Sequence, residues 1–301
     1  MTKPVPRSVQ EYLEQLRAEL AGADPALIQD ALYDAEEYLR GELHEHPEKT
    51  EEQVLAAIAT TYGAPEEVAE AYRATEAKVQ QALRTPRPKK RASALGKFFN
   101  IFTDPRAYTS LLYMFLAYVT GIFYFIWTVT GLAMSAGFMI LIIGLPFLLL
   151  FLSSTRLLSL VEGRIVEVLL GVRMPRRPVH PSSGNSRPFK ERIKEVFTDP
   201  RTWSTLLYMV LQLVLGVVYF ALAVSLTAVS LSLIFAPIAD LIPNAHVLWI
   251  SWDDQQFILP WIFTPILTVL GVFLLTCLLH LARGIGYFHG HLAKNLLVKS
   301  G

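Results

Sequence analysis

The sequence predicts an all-α membrane protein: a small cytoplasmic helical domain followed by a four-helix transmembrane domain built as a tandem two-span repeat. Three observations predict this class. The 301-residue chain has 52 % hydrophobic residues and a mean hydropathy of +0.38. It contains long uncharged apolar runs, and about 20 such residues suffice to cross a bilayer. One stretch also occurs twice, 95 positions apart, where two of these runs begin.

The repeated stretch starts with the sequence Phe-Thr-Asp-Pro-Arg, at residues 102–106 and again at 197–201. Without a gap, 14 of the 24 positions from 102 to 125 recur in the second copy. Thr or Asp is a good N-cap, and the following proline suits the first helical turn, where its missing N–H is not needed. Each copy therefore predicts the start of a long apolar helix.

Four spans are expected, near residues 107–130, 138–161, 203–228 and 261–281. Gly131 to Gly137 is expected to form an uncharged turn after the first span. Pro237 is expected to break the third apolar run, which is too long for one ordinary crossing. The mixed apolar and basic segments before each repeated stretch, residues 95–101 and 189–196, predict interfacial amphipathic helices.

The distribution of bases predicts the topology. Lys and Arg number 7 in residues 84–106, 10 in 156–201 and 3 in 283–301, and they are absent from 129–137 and 229–260. Because bases concentrate on the cytoplasmic side of short loops, both termini are expected in the cytoplasm. The polar start of the chain has no secretory signal pattern, which agrees with an N-terminal domain that stays there.

Residues 1–83 carry 17 acids and 7 bases, whereas the rest of the chain has 20 bases and 9 acids. Helical spacing of apolar residues and cap signals at Asp24, Thr50 and Gly63 predict a small all-α domain here. Its second helix is expected to leave acidic side chains exposed for a partner protein, and the candidate partner-binding residues are Asp30, Asp34 and Glu37.

The predicted domains follow from these changes in composition. They are an acidic helical domain (1–83), a basic linker (84–97), a first membrane repeat (98–175), a second linker (176–188) and a second repeat (189–301). Juxtamembrane bases near anionic lipid contribute about 1 kcal/mol each. The candidate lipid headgroup contacts are Lys89, Lys90, Arg91, Arg176 and Arg177, although basic flanks also serve simply as topology signals.

Three stretches of the acidic domain form a recognisable pattern: residues 12–16, the acid- and tyrosine-bearing stretch 34–38, and the Thr-Tyr-Gly-Ala-Pro-Glu-Glu-Val-Ala stretch 61–69. With these stretches, over about residues 8–75, the domain resembles the HAAS domain of bacterial membrane signalling proteins. HAAS domains are associated with PadR-type transcriptional regulators. The resemblance therefore implies a cytoplasmic partner-binding module and a bacterial inner membrane location.

The second predicted span contains Gly144-Leu-Pro146, and Glu162-Gly-Arg164 and Leu170-Gly171 follow it. In these residues the membrane part resembles the sensor domain that precedes kinase modules in some bacterial two-component proteins. This chain departs from the pattern because the unit occurs twice, and the second copy has His289-Gly-His291 where the first has Glu162-Gly-Arg164. The resemblance implies a sensing role for the membrane part.

No catalytic, metal or cofactor site is expected. The single cysteine, Cys277, lies in an apolar run and permits no intramolecular disulfide. His289 and His291 face different directions on a helix and are expected to anchor at the membrane interface rather than to bind metal. Glu162 and Glu167 are expected to be surface carboxylates rather than an acid–base pair, so the sequence does not indicate an enzyme.

The leading hypothesis is a non-enzymatic membrane signalling protein that couples a membrane or envelope stimulus to a cytoplasmic partner through its helical domain. The expected partners are the lipid bilayer and a PadR-type regulator; homo-oligomerisation stays open, and no direct nucleic-acid binding is expected. The alternative is a transporter or lipid-handling protein for an apolar or lipid-like cargo, since transporters are often built from repeats. The spans lack the lysines and carboxylates that mark ion pathways, which favours signalling.

Overall fold

The computed structural model describes residues 6–83, 94–141, 143–177, 198–239, 249–252, 255–258 and 261–298. Within these ranges most residues lie in helices. Two four-residue strands, β1 (Trp249–Trp252) and β2 (Gln255–Ile258), pair as an antiparallel hairpin. The predicted all-α class is confirmed.

The N-terminal helical domain has the cap chemistry that the sequence predicts. Asp24 accepts a hydrogen bond from the N–H of Ala26, and Thr50 forms a reciprocal capping box with Gln53. Gly63 has a φ of 106°, which a residue with a Cβ rarely adopts, and it separates the third helix from the fourth. The four helices are α1 (Val9–Glu19), α2 (Pro25–Glu45), α3 (Glu51–Thr61) and α4 (Pro65–Leu83).

All four helices of this domain contribute to one apolar core. The Tyr12 hydroxyl donates to the carbonyl of Gly63 at 2.9 Å and so ties α1 to the turn before α4. Burial of this phenol raises its pKa above the ordinary value. The core side chains include Tyr12, Leu16, Leu20, Leu27, Ala31, Leu39, Val54, Leu55, Ile58, Val68 and Ala69.

Four further helices are long and apolar enough to cross a membrane. A short helix, α5 (Ala94–Phe99), precedes them. Each of the four has at least 27 residues, more than the roughly 20 that the hydrocarbon core requires, and many large apolar side chains on them are exposed. The chain is therefore a multi-pass membrane protein, with spanning helices α6 (Pro105–Phe138), α7 (Gly144–Leu170), α8 (Pro200–Ala239) and α9 (Thr264–Leu297).

Two expectations about the helix ends are wrong. Gly131 to Gly137 is not a turn, because α6 continues to Phe138 and only then gives way to a short 3-10 segment. Gly131 lies against the ring of Phe151, so a small residue here serves helix packing. Pro237 does not break α8 either: it lies inside the last turn, and the helix ends two residues later.

The chain forms two compact units, and α6, α8 and α9 each contribute a segment to both. The first unit comprises Met1–Arg84, Thr128–Tyr208 and Gly290–Gly301, and the second comprises Thr85–Trp127 and Met209–His289. The helical domain, all of α7 and the last turns of α9 thus belong to the first unit. The contacts described below each lie within one unit.

In the second unit, α6 and α8 approach closely at two glycines. A Cβ added at Gly121 would lie 2.7 Å from the carbonyl oxygen of Gln212, and one added at Gly216 would lie 2.9 Å from the Cα of Tyr118 and closer still to the carbonyl of Ala117. Gly121 and Gly216 are equivalent positions of the repeated stretch, as are Ala117 and Gln212. The crossing is therefore reciprocal, with each glycine packed on the counterpart of its own preceding turn.

Candidate functional site

The two Phe-Thr-Asp-Pro-Arg stretches begin their helices in the same way. The Asp104 carboxylate accepts the N–H of Arg106 at 3.0 Å, and the Asp199 carboxylate accepts the N–H of Arg201 at 3.1 Å. Each proline follows its aspartate directly and opens the helix. The predicted N-caps are confirmed, with aspartate as the capping residue.

Each capping aspartate also pairs with an arginine on a spanning helix. Asp104 pairs with Arg283 of α9, and Asp199 pairs with Arg156 of α7 at 3.5 Å. Both arginine side chains are about half exposed, so each pair contributes modestly to stability, on the order of 1 kcal/mol or less. Their main effect is to fix the start of one spanning helix beside an interior turn of another.

One turn and a half beyond each arginine lies a buried polar residue. Six positions separate Arg156 from Glu162, and the same spacing separates Arg283 from His289. Glu162 accepts a hydrogen bond from the Tyr208 hydroxyl at 2.9 Å, and the imidazole of His289 lies 4.9 Å from the ring of Tyr113. Tyr113 and Tyr208 are equivalent residues of the repeated stretch, so each copy places the same tyrosine beside a buried polar residue, through a hydrogen bond to Glu162 and through ring packing on His289.

Two expectations about these residues are wrong. Glu162 and Glu167 are not surface carboxylates, since they are 1 % and 3 % exposed. His289 does not anchor at the interface, because it is fully buried and lies 3.4 Å from the Tyr219 hydroxyl through Nδ1. Among the described residues, no three His, Cys, Asp or Glu side chains are arranged to hold a metal ion.

After α7 the chain forms what we call the docking segment, residues 171–177. Gly171 ends α7 in the left-handed conformation, with φ of 74°, and this turns the chain away from the helix axis. The segment has no regular secondary structure and lies on the helical domain. It carries three arginines, Arg173, Arg176 and Arg177.

Arg173 is the centre of a buried ion-pair cluster. Its guanidinium, 8 % exposed, lies 2.9 Å from Asp30 of α2, 3.1 Å from Glu76 of α4 and 3.6 Å from Glu167 of α7. Burial alone would lower the pKa of Arg173, but hydrogen bonds to Glu76 and Asp30 raise it above its ordinary value. Removing one member of such a cluster leaves buried charge unpaired and typically costs about 3–5 kcal/mol.

Asp30 also binds the main chain of the docking segment. Its Oδ1 accepts the backbone N–H groups of Arg176 and Arg177 at 2.7 and 2.8 Å, while Oδ2 accepts from Arg173. Burial raises the pKa of Asp30 above its ordinary value, although these three hydrogen bonds oppose the effect. The carboxylate is therefore costly to bury and depends on its partners.

Arg177 occupies a second site on α2. It pairs with Asp34 at 2.8 Å, and its guanidinium lies 5.7 Å from the centre of the Tyr33 ring, within reach of a cation–π interaction. Gln29 donates to the carbonyl of Arg177 at 2.6 Å. Asp34 also accepts from the Tyr72 hydroxyl at 3.0 Å, which ties this site to α4.

A third contact comes from the end of α9, where Lys294 pairs with Asp24 at 2.6 Å. Asp24 is the cap of α2, so this lysine holds the start of the helix whose next turns bind the docking segment. Gln29 accepts from Arg201 at 3.4 Å as well. Three separate places in the chain beyond the helical domain therefore contact α2.

The candidate partner-binding and lipid-binding residues meet each other in the structure. Asp30 and Asp34 contact Arg173, Arg176 and Arg177, and Glu37 lies exposed one turn further along α2. The expectation that Asp30 is exposed is wrong, since it is 5 % exposed. Lys89, Lys90 and Arg91 lie outside the described residues. Sequence reasoning missed Glu76 and Arg173, which no local motif distinguishes from other surface charges.

This architecture defines a class: a multi-pass membrane protein whose N-terminal helical domain contacts the end of α7 and the docking segment through a buried charge cluster. The family described as "Putative sensor" matches residues 113–297, more than half of the chain, and the chain belongs to this family. The match covers most of α6 and all of α7, α8 and α9. No curated protein and no solved structure matches the chain.

Proposed function

We propose that this chain is a non-enzymatic membrane signalling protein that keeps its helical domain docked at rest and releases it when the spanning helices respond to a stimulus. The observation that carries the proposal is that Asp30 already accepts hydrogen bonds from the docking segment. This carboxylate, predicted to bind a partner, is buried under three hydrogen bonds from the docking segment of the same chain. Docking and partner binding would therefore compete.

A switch of this kind needs a defined free-energy difference between the docked and released states. A change from about 1 % to about 99 % released requires roughly 5.5 kcal/mol of differential stabilisation. A stimulus that drew Arg173 away from Asp30 and Glu76 while these carboxylates stayed buried would supply most of this difference, because a buried charge without its partner costs about 3–5 kcal/mol. The segment follows α7 directly through Gly171, and hence a movement of α7 would act on Arg173 first.

The proposal includes a direction across the membrane. The helical domain, the docking segment and the last turns of α9 would face the cytoplasm of a bacterial inner membrane, where the predicted topology puts both termini. Arg176 and Arg177 bind Glu167 and Asp34, so they would serve docking rather than lipid binding. Contact with lipid headgroups would be left to Lys89, Lys90 and Arg91.

The proposed partner is a cytoplasmic transcriptional regulator of the PadR type, in keeping with the resemblance of residues 8–75 to the HAAS domain. We also propose that α6 with α7 and α8 with α9 are tandem sensor units. The repeated sequence and the reciprocal contacts of Asp104 and Asp199 support this.

Transcript profiling of host cells tests the proposal. Arg173→Glu is expected to release the helical domain and to change a defined set of transcripts even without a stimulus. The same substitution is expected to leave the transcripts unchanged when the chain lacks residues 1–83. Arg17→Glu, a charge reversal at an exposed position of α1, is the matched control and should resemble wild type.

Membrane quantities of every variant are measured alongside, so that loss of protein is not mistaken for loss of signal. If Arg173→Glu is present at wild-type level and leaves the transcripts unchanged, the proposed function is wrong. A change that persists without residues 1–83 would also contradict it, because the membrane part alone would then act. That second outcome would favour the transport or lipid-handling alternative.

A further inference from the structure

The contacts between α2 and the docking segment include the main chain as well as the side chains. Asp30 accepts two consecutive backbone N–H groups, and Gln29 donates to the carbonyl of the second residue. Such contacts read the conformation of a peptide and not its side chains, so any segment with the same backbone path could make them. A surface that served only to pair charges would not need them.

Two side-chain sites accompany these main-chain contacts. The first, between Asp30 and Glu76, takes the guanidinium of Arg173 through two different nitrogens. The second takes Arg177 between Asp34 and the face of Tyr33. Both sites suit arginine better than lysine, because a planar guanidinium makes several directed hydrogen bonds and stacks on aromatic rings.

Arg176 is not part of this recognition, although its backbone N–H is. Its side chain points to Glu167 of α7, 3.3 Å away, and not to the helical domain. The helical domain therefore reads two arginines four positions apart and the main chain of the segment that carries them. Its own balance of 17 acids to 7 bases favours a basic ligand and disfavours nucleic acid.

We infer that this face of the helical domain, formed by Gln29, Asp30, Tyr33, Asp34 and Glu76, is a peptide-binding site for a non-helical partner segment with two arginines four residues apart. The docking segment is its intramolecular occupant. The inference rests on the proposed function and adds to it the chemistry of the partner. In the released state, the partner's segment would take the place of residues 171–177.

The test uses the full chain in nanodiscs of neutral lipid and a fluorescent peptide with the sequence of residues 171–177. Binding is measured by fluorescence anisotropy. A chain with Arg173→Ala and Arg177→Ala is expected to bind the peptide at least about tenfold more tightly than wild type, because its own segment no longer competes. A peptide with lysine in place of both arginines is expected to bind more weakly.

The site is then removed in the same double-variant background. Asp30→Asn and, separately, Asp34→Asn are each expected to weaken peptide binding at least about tenfold, whereas Glu14→Gln, an exposed acid on α1, is expected to leave it unchanged. Asp34 is only partly buried, so its variant serves if the chain with Asp30→Asn does not fold. Far-ultraviolet circular dichroism checks the helix content of each chain.

Two results would overturn the inference: no tighter binding to the double variant than to wild type, or binding that neither Asp30→Asn nor Asp34→Asn weakens. The second would mean a general attraction between basic peptide and acidic domain. If the peptide fails while Arg173→Glu still changes transcripts through residues 1–83, the proposed function stands and the peptide site falls. If the peptide binds as expected and Arg173→Glu leaves the transcripts unchanged, the peptide site stands and the proposed function is wrong.

Discussion

The contacts around α7 and those around α9 are built from the same residues of the repeated stretch but end differently. Asp199 and Tyr208 bind Arg156 and Glu162 of α7, while Asp104 pairs with Arg283 of α9. Beyond these contacts, α7 continues into the docking segment with its buried Arg173, and α9 offers the helical domain one ion pair from Lys294. The two helices therefore share their contacts to the repeated stretch and differ in how their C-terminal ends contact the helical domain.

The buried polar residues of α7 and α9, Glu162 and His289, also differ in their contacts. Glu162 accepts a hydrogen bond from Tyr208, whereas the ring of His289 packs against Tyr113 and its Nδ1 lies 3.4 Å from the Tyr219 hydroxyl. Five positions after each polar residue come Glu167 and Lys294, which have opposite charges, and both take part in holding the helical domain or its docking segment. One helix end thus supports the docking segment, and the other supports the cap of α2.

The largest expected difference is between Arg173→Ala and Lys294→Ala. Arg173→Ala should cost docking about 3–5 kcal/mol, because it leaves three buried carboxylates without their common cation. Lys294→Ala removes one partly exposed pair and should cost about 1 kcal/mol or less. Amide exchange of Arg176 and Arg177, whose N–H groups bind Asp30, measures docking directly and should accelerate about a hundredfold or more in the first variant only. Equal acceleration in both would remove the distinction between the two ends.

The second prediction concerns the reciprocal crossing of α6 and α8. Gly121→Ala and Gly216→Ala should each lower the free energy of unfolding by about 1–3 kcal/mol, because the new methyl group meets backbone atoms of the other helix. Gly137→Ala, where nothing lies within 4 Å, should raise it by up to about 1 kcal/mol through helix propensity. Denaturant titration in micelles measures all three. If only one of the two substitutions lowers the free energy of unfolding, the two glycines do not contribute equally to the crossing.

The third prediction compares the equivalent tyrosines. Tyr208→Phe removes a buried hydrogen bond to the Glu162 carboxylate and should cost about 1.5–3 kcal/mol. Tyr113→Phe removes the acceptor of the Gln212 side-chain amide at 3.1 Å, a neutral hydrogen bond of about 1 kcal/mol. The same titration measures both variants. A larger loss for Tyr113→Phe than for Tyr208→Phe would contradict the expectation that the hydrogen bond to the Glu162 carboxylate is the stronger of the two.

Small effects are expected at the two caps. Asp104→Ala and Asp199→Ala should each cost about 1 kcal/mol from the lost cap, with a similar or smaller amount from the exposed ion pair. Asp104→Asn and Asp199→Asn keep a capping side chain and remove only the charge, so they should recover most of the loss. Thermal unfolding of the four variants measures these losses. A different loss at Asp104 than at Asp199 would show that the two copies of the repeated stretch do not contribute equally to stability.

Local chemistry made much of the fold predictable. The caps at Asp24 and Thr50, the glycine at position 63 and the Asp-Pro pairs of the repeated stretch act within one helical turn, so the sequence alone indicates where these helices begin or end. The spans follow from length and hydropathy. The turn expected near Gly131 failed because a glycine in an apolar helix can also serve close packing, and packing partners cannot be read from the helix itself.

The charge cluster could not be predicted because its members are far apart in the chain. Asp30 and Arg173 are separated by 143 positions, and Glu76 and Arg173 by 97. Spacing on α2 alone makes Asp30 look like a solvated surface acid. The burial of Glu162 and His289 did leave a signal: both stand six residues after an arginine and directly before a glycine, Gly163 or Gly290, in corresponding helices. Aligning those helices would have marked them as equivalent interior positions.

The most direct test of the central claim is photo-crosslinking from position 29 of α2 in native membranes. A benzophenone amino acid replaces Gln29, whose side chain contacts the carbonyl of Arg177, and mass spectrometry maps the adducts. We expect an intramolecular adduct within residues 171–177 that Arg173→Glu abolishes and Arg17→Glu leaves intact. An adduct confined to other segments, or one that survives Arg173→Glu undiminished, would contradict the claim that this charge cluster holds the helical domain in place.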